Sequence, residues 1–172
     1  GGVGGGGGPV GVSRGAVGGS GGYYCSCLAG CCGARPSTRT GSIGVFGGKM
    51  VVRELLDRLG LTTGTVSHGA RSLMFSAWRG FTDDERERLA ATIDAIYEDF
   101  VAKVAHGRSR TVAQIEGIAR GRVWTGRDAL ANGLVDGLGG MPDAGRLARM
   151  RAGLSTAAAG RHPGHVPALD RL

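Results

Sequence analysis

Ser20-Gly21-Gly22-Tyr23-Tyr24 and Thr40-Gly41-Ser42-Ile43-Gly44-Val45-Phe46-Gly47-Gly48 are the two runs that organise the chain. The first puts a small hydroxyl residue between a strand-like segment, Pro9 to Ser13, and a helix-like one, Ser20 to Ala29. The second holds a short apolar strand, Ser42 to Phe46, bounded by glycines. Glycine beside serine lets the backbone turn tightly and approach a ligand closely. A serine at a helix start lies where unpaired N–H groups and the helix dipole favour developing negative charge. Acyl transfer uses that environment.

Outward from these runs, strands and helices alternate. Cys31 to Arg35 reads as a strand. Lys49 to Leu59 reads as a helix with Val52, Leu55, Leu56 and Leu59 on one face and Gly60 as its C-cap. Thr63 to Ser67 reads as a further strand. The clearest helix is Asp83 to Ala105, opened by a Thr82/Glu85 capping box. Its Leu89, Ile93, Ile96, Tyr97, Phe100, Val101 and Val104 follow the spacing of one buried face. Thr111 with Gln114 starts a shorter helix that stops at Gly121, and Thr125 with Asp128 starts one closed by Gly133. Pro142 opens a last helix to about Met150. This alternation predicts an α/β domain.

The chain of 172 residues is expected to hold one domain, burying roughly 70% of its unfolded surface. Residues 1–8, nearly all glycine, are expected to be a disordered lead-in, 9–151 the domain, and 152–172 a flexible tail. Glycine totals 35, and 19 of these fall in the first 50 residues, so the excess is local. The net charge is +7, but the arginines are interleaved with acids, as in Asp84-Glu85-Arg86-Glu87-Arg88. That pattern predicts a solvated surface and no nucleic-acid partner. No run approaches the roughly 18 apolar residues of a membrane span, and no signal peptide is visible. Cys25, Cys27, Cys31 and Cys32 have a C-x-C-x3-C-C spacing unlike paired zinc knuckles, so no metal and no cofactor is expected.

Three separated motifs resemble the signal peptide peptidase A (protease IV) family. The family pattern Pro-Val-Val-x-Ser-Met-Gly-x-x-Ala-Ala-Ser-Gly-Gly-Tyr-Tyr appears as Pro9 to Tyr24, and Ala-x-Pro-x-Thr-x-Thr-Gly-Ser-Ile-Gly-Val-Phe as Ala34 to Phe46. The third is Gly121-Arg122-Val123-Trp124-Thr125-Gly126-Arg127-Asp128-Ala129, ending at Asn132 to Gly140. The resemblance covers residues 9 to 148 and implies a ClpP/crotonase-like fold of stacked ββα units. Relative to the pattern, glycine or cysteine replaces other small or aliphatic residues at Gly11, Gly18, Gly19, Gly30, Cys31 and Gly33. Glycine inside an element costs ~0.5–1 kcal/mol relative to alanine. This end is therefore expected to be marginal, as in a decayed or misread sequence.

The resemblance makes Ser20 the nucleophile and the Gly21 N–H half of an oxyanion hole, with Ser42, Ile43, Gly44 and Val45 lining a substrate cleft. Without the flanking motifs, Ser20 reads as a turn serine. A serine hydroxyl needs a base, and in this family the base is a lysine. The chain has two lysines, Lys49 and Lys103, and neither matches the expected position, which falls at Ser72. Lys103 is expected to be solvated. A lysine from an N-terminal half or a neighbouring subunit is therefore implied, as in the C-terminal half of a two-domain enzyme. The Asp-Ser-Pro-Gly-Gly-like turn that supplies the second oxyanion donor has no counterpart before Pro9, so this chain alone is expected to be inactive. Implied substrates are cleaved signal peptides or unfolded hydrophobic segments. Ring-like homo-oligomers and an extracytoplasmic, membrane-associated location are implied too. The rivals are an inactive fragment that keeps only fold and assembly surfaces, and a crotonase-like acyl-CoA enzyme. A Ser-His-Asp triad lacks support, since no acid is placed to orient His68.

Overall fold

Two three-stranded sheets carry the molecule. In the first, β1 (Gly11–Arg14) lies parallel to β3 (Cys31–Ala34), with Gly11 opposite Cys31 and Arg14 opposite Ala34. The short β6 (Gly137–Leu138) adds in parallel on the other side of β3. In the second, β2 (Val17–Gly19) is parallel to β4 (Arg39–Gly41), which pairs antiparallel with β5 (Val123–Thr125). The structure is a computed structural model and describes residues 10–155. The expected lead-in at 1–8 and most of the expected tail lie outside the described residues.

α1 (Gly21–Ser26) connects β2 to β3. The long α3 (Asp83–Gly107) packs its C-terminal half on α1, burying Phe100, Val101 and Val104 against Tyr23 and Cys27. Ile43, Ile115, Ala129 and Leu134 complete this core. Helix ends follow from local chemistry. Thr82 and Glu85 form both bonds of a capping box, as do Thr111 and Gln114 at α4 (Val112–Glu116). Thr125 accepts from the Asp128 N–H to start α5 (Gly126–Ala131), and Gly133, at φ 69°, ends it. α6 (Met141–Arg151) starts with a proline in its first turn.

Several expectations need correction. No ladder forms over Ser42 to Phe46; the strand lies earlier, at β4. Gly41 and Ser42 take φ values of 78° and 50°, which turn the backbone out of the sheet. Thr63 to Ser67 is exposed irregular chain and pairs with no strand among the described residues. α2 (Arg53–Arg58) is shorter than the expected helix and buries nothing: Leu55 and Leu59 are 59% and 63% exposed. The apolar face of α3 is buried only at its C-terminal end, while Leu89, Ile93 and Tyr97 are half-buried and Ile96 is exposed. α1 and α4 are also shorter than expected, ending before Ala29 and Gly121.

The segment between Gly47 and Thr82 is thus an excursion. It is closed at its base by polar contacts. The Val52 N–H donates to Ala77 O at 2.9 Å, and Lys49 Nζ donates to Met74 O at 2.8 Å. Arg79 grips Glu85 through two hydrogen bonds of 2.7 and 2.6 Å. The Arg79 guanidinium, with help from the Thr82 N–H, pulls the Glu85 pKa down to about 2.

Candidate active site

Ser20 sits on the tight connection between β2 and α1 with φ 50° and ψ −123°. Positive φ in a residue other than glycine is strained and persists only where the surroundings enforce it. Here the Ser20 N–H donates to Gly41 O at 2.9 Å, and Ser20 O accepts from the Tyr24 N–H at 2.8 Å. The side chain is exposed and caps nothing in α1. A strained strand-to-helix turn that holds a hydroxyl outward is the geometry of a nucleophile elbow. The first-turn N–H groups of α1, beginning with Gly21, carry no side-chain cap.

The register of β2 and β4, with Gly19 opposite Gly41, brings Ser42 beside this turn. The Ser42 N–H donates to Arg122 O, and the Gly121 N–H donates to Ile43 O, both at 2.8 Å. A side chain at Gly44 would meet the Gly121 backbone nitrogen at 2.7 Å, so glycine is required for this approach. Beyond it, among the described residues, the backbone N–H groups of Val45, Phe46 and Gly47 have no partner. Ile43 is fully buried in the core, so of the four expected cleft residues it presents backbone only.

Both lysines are hydrogen-bonded to other groups. Lys103 is partly exposed on α3, and its side chain is engaged with its neighbours. Its Nζ donates to Asp99 at 2.5 Å and to the Tyr24 hydroxyl at 2.6 Å. Asp99 first, then Tyr24, raises its pKa, the wrong direction for a proton acceptor. Lys49 donates to Met74 O and lies 4.3 Å over the Phe81 ring.

The sequence matches the model of peptidase family S49 over residues 6–155. The chain belongs to peptidase family S49. It is 42% identical over 136 residues to "Protease 4" of Salmonella typhi, covering 79% of this chain and 22% of that protein. It is 35% identical over 147 residues to "Serine protease SPPA, chloroplastic" of Arabidopsis thaliana, covering 85% and 22%. A "Putative signal peptide peptidase SppA" of Enterococcus faecium is 36% identical over 125 residues, covering 73% and 36%. The chain therefore spans well under half the length of these S49 relatives.

The cysteines of this S49 chain are free thiols. Burial raises the pKa values of Cys27 and Cys31, which keeps them protonated. Among the described residues no group of three or more His, Cys, Asp or Glu could hold a metal ion, and no helix is long and apolar enough to cross a membrane. His68 is exposed in the excursion.

Sequence reasoning missed the residues that hold the S49 serine turn in place. The Tyr23 hydroxyl donates to Leu134 O at 2.7 Å. The Thr40 hydroxyl donates to Gly18 O at 2.7 Å, fastening β2 to β4. Arg14, at the end of β1, is 4% exposed and donates from Nη2 to Ser26 Oγ at 2.7 Å. The available signal was the pattern of hydroxyl residues around Ser20 in a stretch with few large apolar side chains.

Proposed function

We propose that the chain is the serine-bearing part of an S49 peptidase that hydrolyses peptide bonds with Ser20 as nucleophile. One observation carries this reading: Ser20 is the exposed hydroxyl on a strained turn between a strand and an uncapped helix. The Gly21 N–H is the oxyanion donor contributed by this chain. Loss of one such donor typically costs ~10²–10³ in rate, so a second donor from outside these residues is part of the proposal.

The base is a lysine supplied by another domain or subunit, forming a Ser/Lys dyad. The engagement of Lys49 and Lys103 elsewhere supports this. Such a lysine must be held neutral by desolvation or a nearby cation before it can accept the serine proton. An extended peptide adds along Ser42 to Val45, taking the Val45 N–H, which has no partner among the described residues, as a strand would. The named relatives support cleaved signal peptides or unfolded apolar segments as substrates. The bare apolar face of α2 supports a homo-oligomer. A ClpP/crotonase-like fold and extracytoplasmic work at a membrane complete the reading.

A fluorophosphonate probe followed by peptide mapping tests it. The expected adduct sits on Ser20 and forms slowly with the chain alone. It forms faster when a soluble primary amine stands in for the missing base. Labelling that survives Ser20→Ala, or spreads evenly over other serines, contradicts the proposal.

A further inference from the structure

Arg14 is the one buried cation in the neighbourhood of Ser20 whose charge has no carboxylate partner among the described residues. Its Nε and Nη1 are buried and lack hydrogen-bond partners. Arginine cannot shed its proton to relieve this, and an uncompensated buried charge is costly. The guanidinium lies 4.7 Å over the Tyr23 ring, which offsets part of that cost.

Its contacts lie on both arms of the Ser20 turn. On the incoming arm it packs against Gly18, two residues before Ser20. A Cβ at Gly18 would stand 2.6 Å from Arg14 Cδ and 2.8 Å from Cγ, so the absence of a side chain there makes the room. On the outgoing arm it covers Tyr23 and bonds Ser26 Oγ, which in turn donates to Gly22 O at 2.7 Å. We propose that Arg14 is a positioning residue for Ser20, clamping β2 to α1 so that the strained turn keeps its outward hydroxyl. The consequence for chemistry rests on the reading of Ser20 as nucleophile; the clamp itself does not. The hydrogen bond fixes Arg14 to α1 at Ser26, and its Cγ and Cδ, seated over Gly18, hold β2 against it. A turn at positive φ needs such over-determination. Arg14 and Gly18 also form a matched pair, so Gly18 records a fit and not decay.

Amide hydrogen exchange on the full chain tests the clamp. The Ser20 and Tyr24 N–H groups report on the turn, and those of Val101 and Val104 report on the core. Arg14→Met should speed exchange at Ser20 and Tyr24 by about tenfold or more, with core amides changing less than about threefold. Ser26→Ala leaves the core volume in place and should reproduce the local effect, so the test survives if Arg14→Met folds poorly. Gly18→Ala should lower Tm in the native background and be tolerated alongside Arg14→Ala. Arg14→Met should also slow fluorophosphonate labelling of Ser20 with little change in probe affinity.

Exchange that rises equally in turn and core, or not at all in either Arg14→Met or Ser26→Ala, would make Arg14 an ordinary core residue and overturn the proposal. The two readings fail separately. A Ser20 that never labels removes the nucleophile while local exchange still supports the clamp. Ser20 labelling unchanged by Arg14→Met, with uniform exchange, removes the clamp alone.

Discussion

The end of the molecule around Ser20 and the excursion between Gly47 and Thr82 invert the usual relation between apolar pattern and burial. The excursion has the stronger pattern, with Val52, Leu55, Leu56 and Leu59 at helical spacing, yet α2 buries none of its residues. The Ser20 end is rich in glycine and weak in periodicity, yet Tyr23, Cys27, Thr38 and Thr40 are fully buried there. The difference lies in partners. Around Ser20, hydroxyls reach backbone carbonyls: Tyr23 to Leu134, Thr38 to Gly15 and Thr40 to Gly18. Buried polar groups are tolerated because they are paired. Among the described residues the α2 face finds little cover, with Leu55 and Leu59 exposed and Val52 and Leu56 only half-buried. Periodicity tells which face of an element is apolar, and only a partner makes that face a core.

The largest expected break in this comparison is Phe100→Ala. It empties a core position on α3 and should cost about 3–5 kcal/mol of unfolding free energy in urea titration. Leu59→Ala, at the exposed C-cap of α2, should change stability by no more than about 0.5 kcal/mol. Equal losses from the two would mean that the excursion is packed as tightly as the core.

Tyr23→Phe keeps the ring and removes one hydroxyl. The Leu134 carbonyl keeps the longer bond from Arg108 Nη1 at 3.2 Å, so the change should cost about 0.5–1.5 kcal/mol by the same measurement. A neutral result would mean that water replaces the hydroxyl freely.

Acid acts on the seam between the regions. The Glu85 pKa is lowered to about 2, first by Arg79 and then by the Thr82 N–H. Its folded value lies below its unfolded one, so its stabilising contribution is full above about pH 4.5 and fades as pH falls towards 2. Glu85→Gln should flatten that part of a Tm-against-pH curve. A native-like acid slope in the variant would assign the loss to other carboxylates.

Smaller still are the gains available at the glycine-rich end. Gly11 and Gly33 line a cavity of about 50 Å³ between the first sheet and α6. A Cβ at either would meet nothing closer than 3.8 Å. Gly11→Ala and Gly33→Ala should each raise stability by ~0.5–1 kcal/mol, whereas Gly18→Ala should lower it.

What the sequence made legible follows the same division. β1, β3, α3 with its capping box, α5 and α6 were readable because caps, glycines and proline punctuate them locally. β4 was not, since Thr40-Gly41-Ser42 looks like the start of a strand until the positive φ values at Gly41 and Ser42 end it there. Thr63 to Ser67 has a strand-like composition and no paired strand among the described residues. The serine turn was legible from its motifs. Arg14 was not: in sequence it looks like one more surface arginine, and only the space left at Gly18 gives it a buried place.

The most direct test is hydrolysis of an apolar peptide by the native gene product, compared with Ser20→Ala, Lys49→Gln and Lys103→Gln, with Tm measured on each. Ser20 as nucleophile with a base from outside this chain's two lysines predicts a loss of about 10³-fold or more for Ser20→Ala. The two lysine variants should retain turnover wherever their Tm is preserved. Hydrolysis that survives Ser20→Ala, or that disappears in a folded Lys49→Gln or Lys103→Gln protein, would contradict the account.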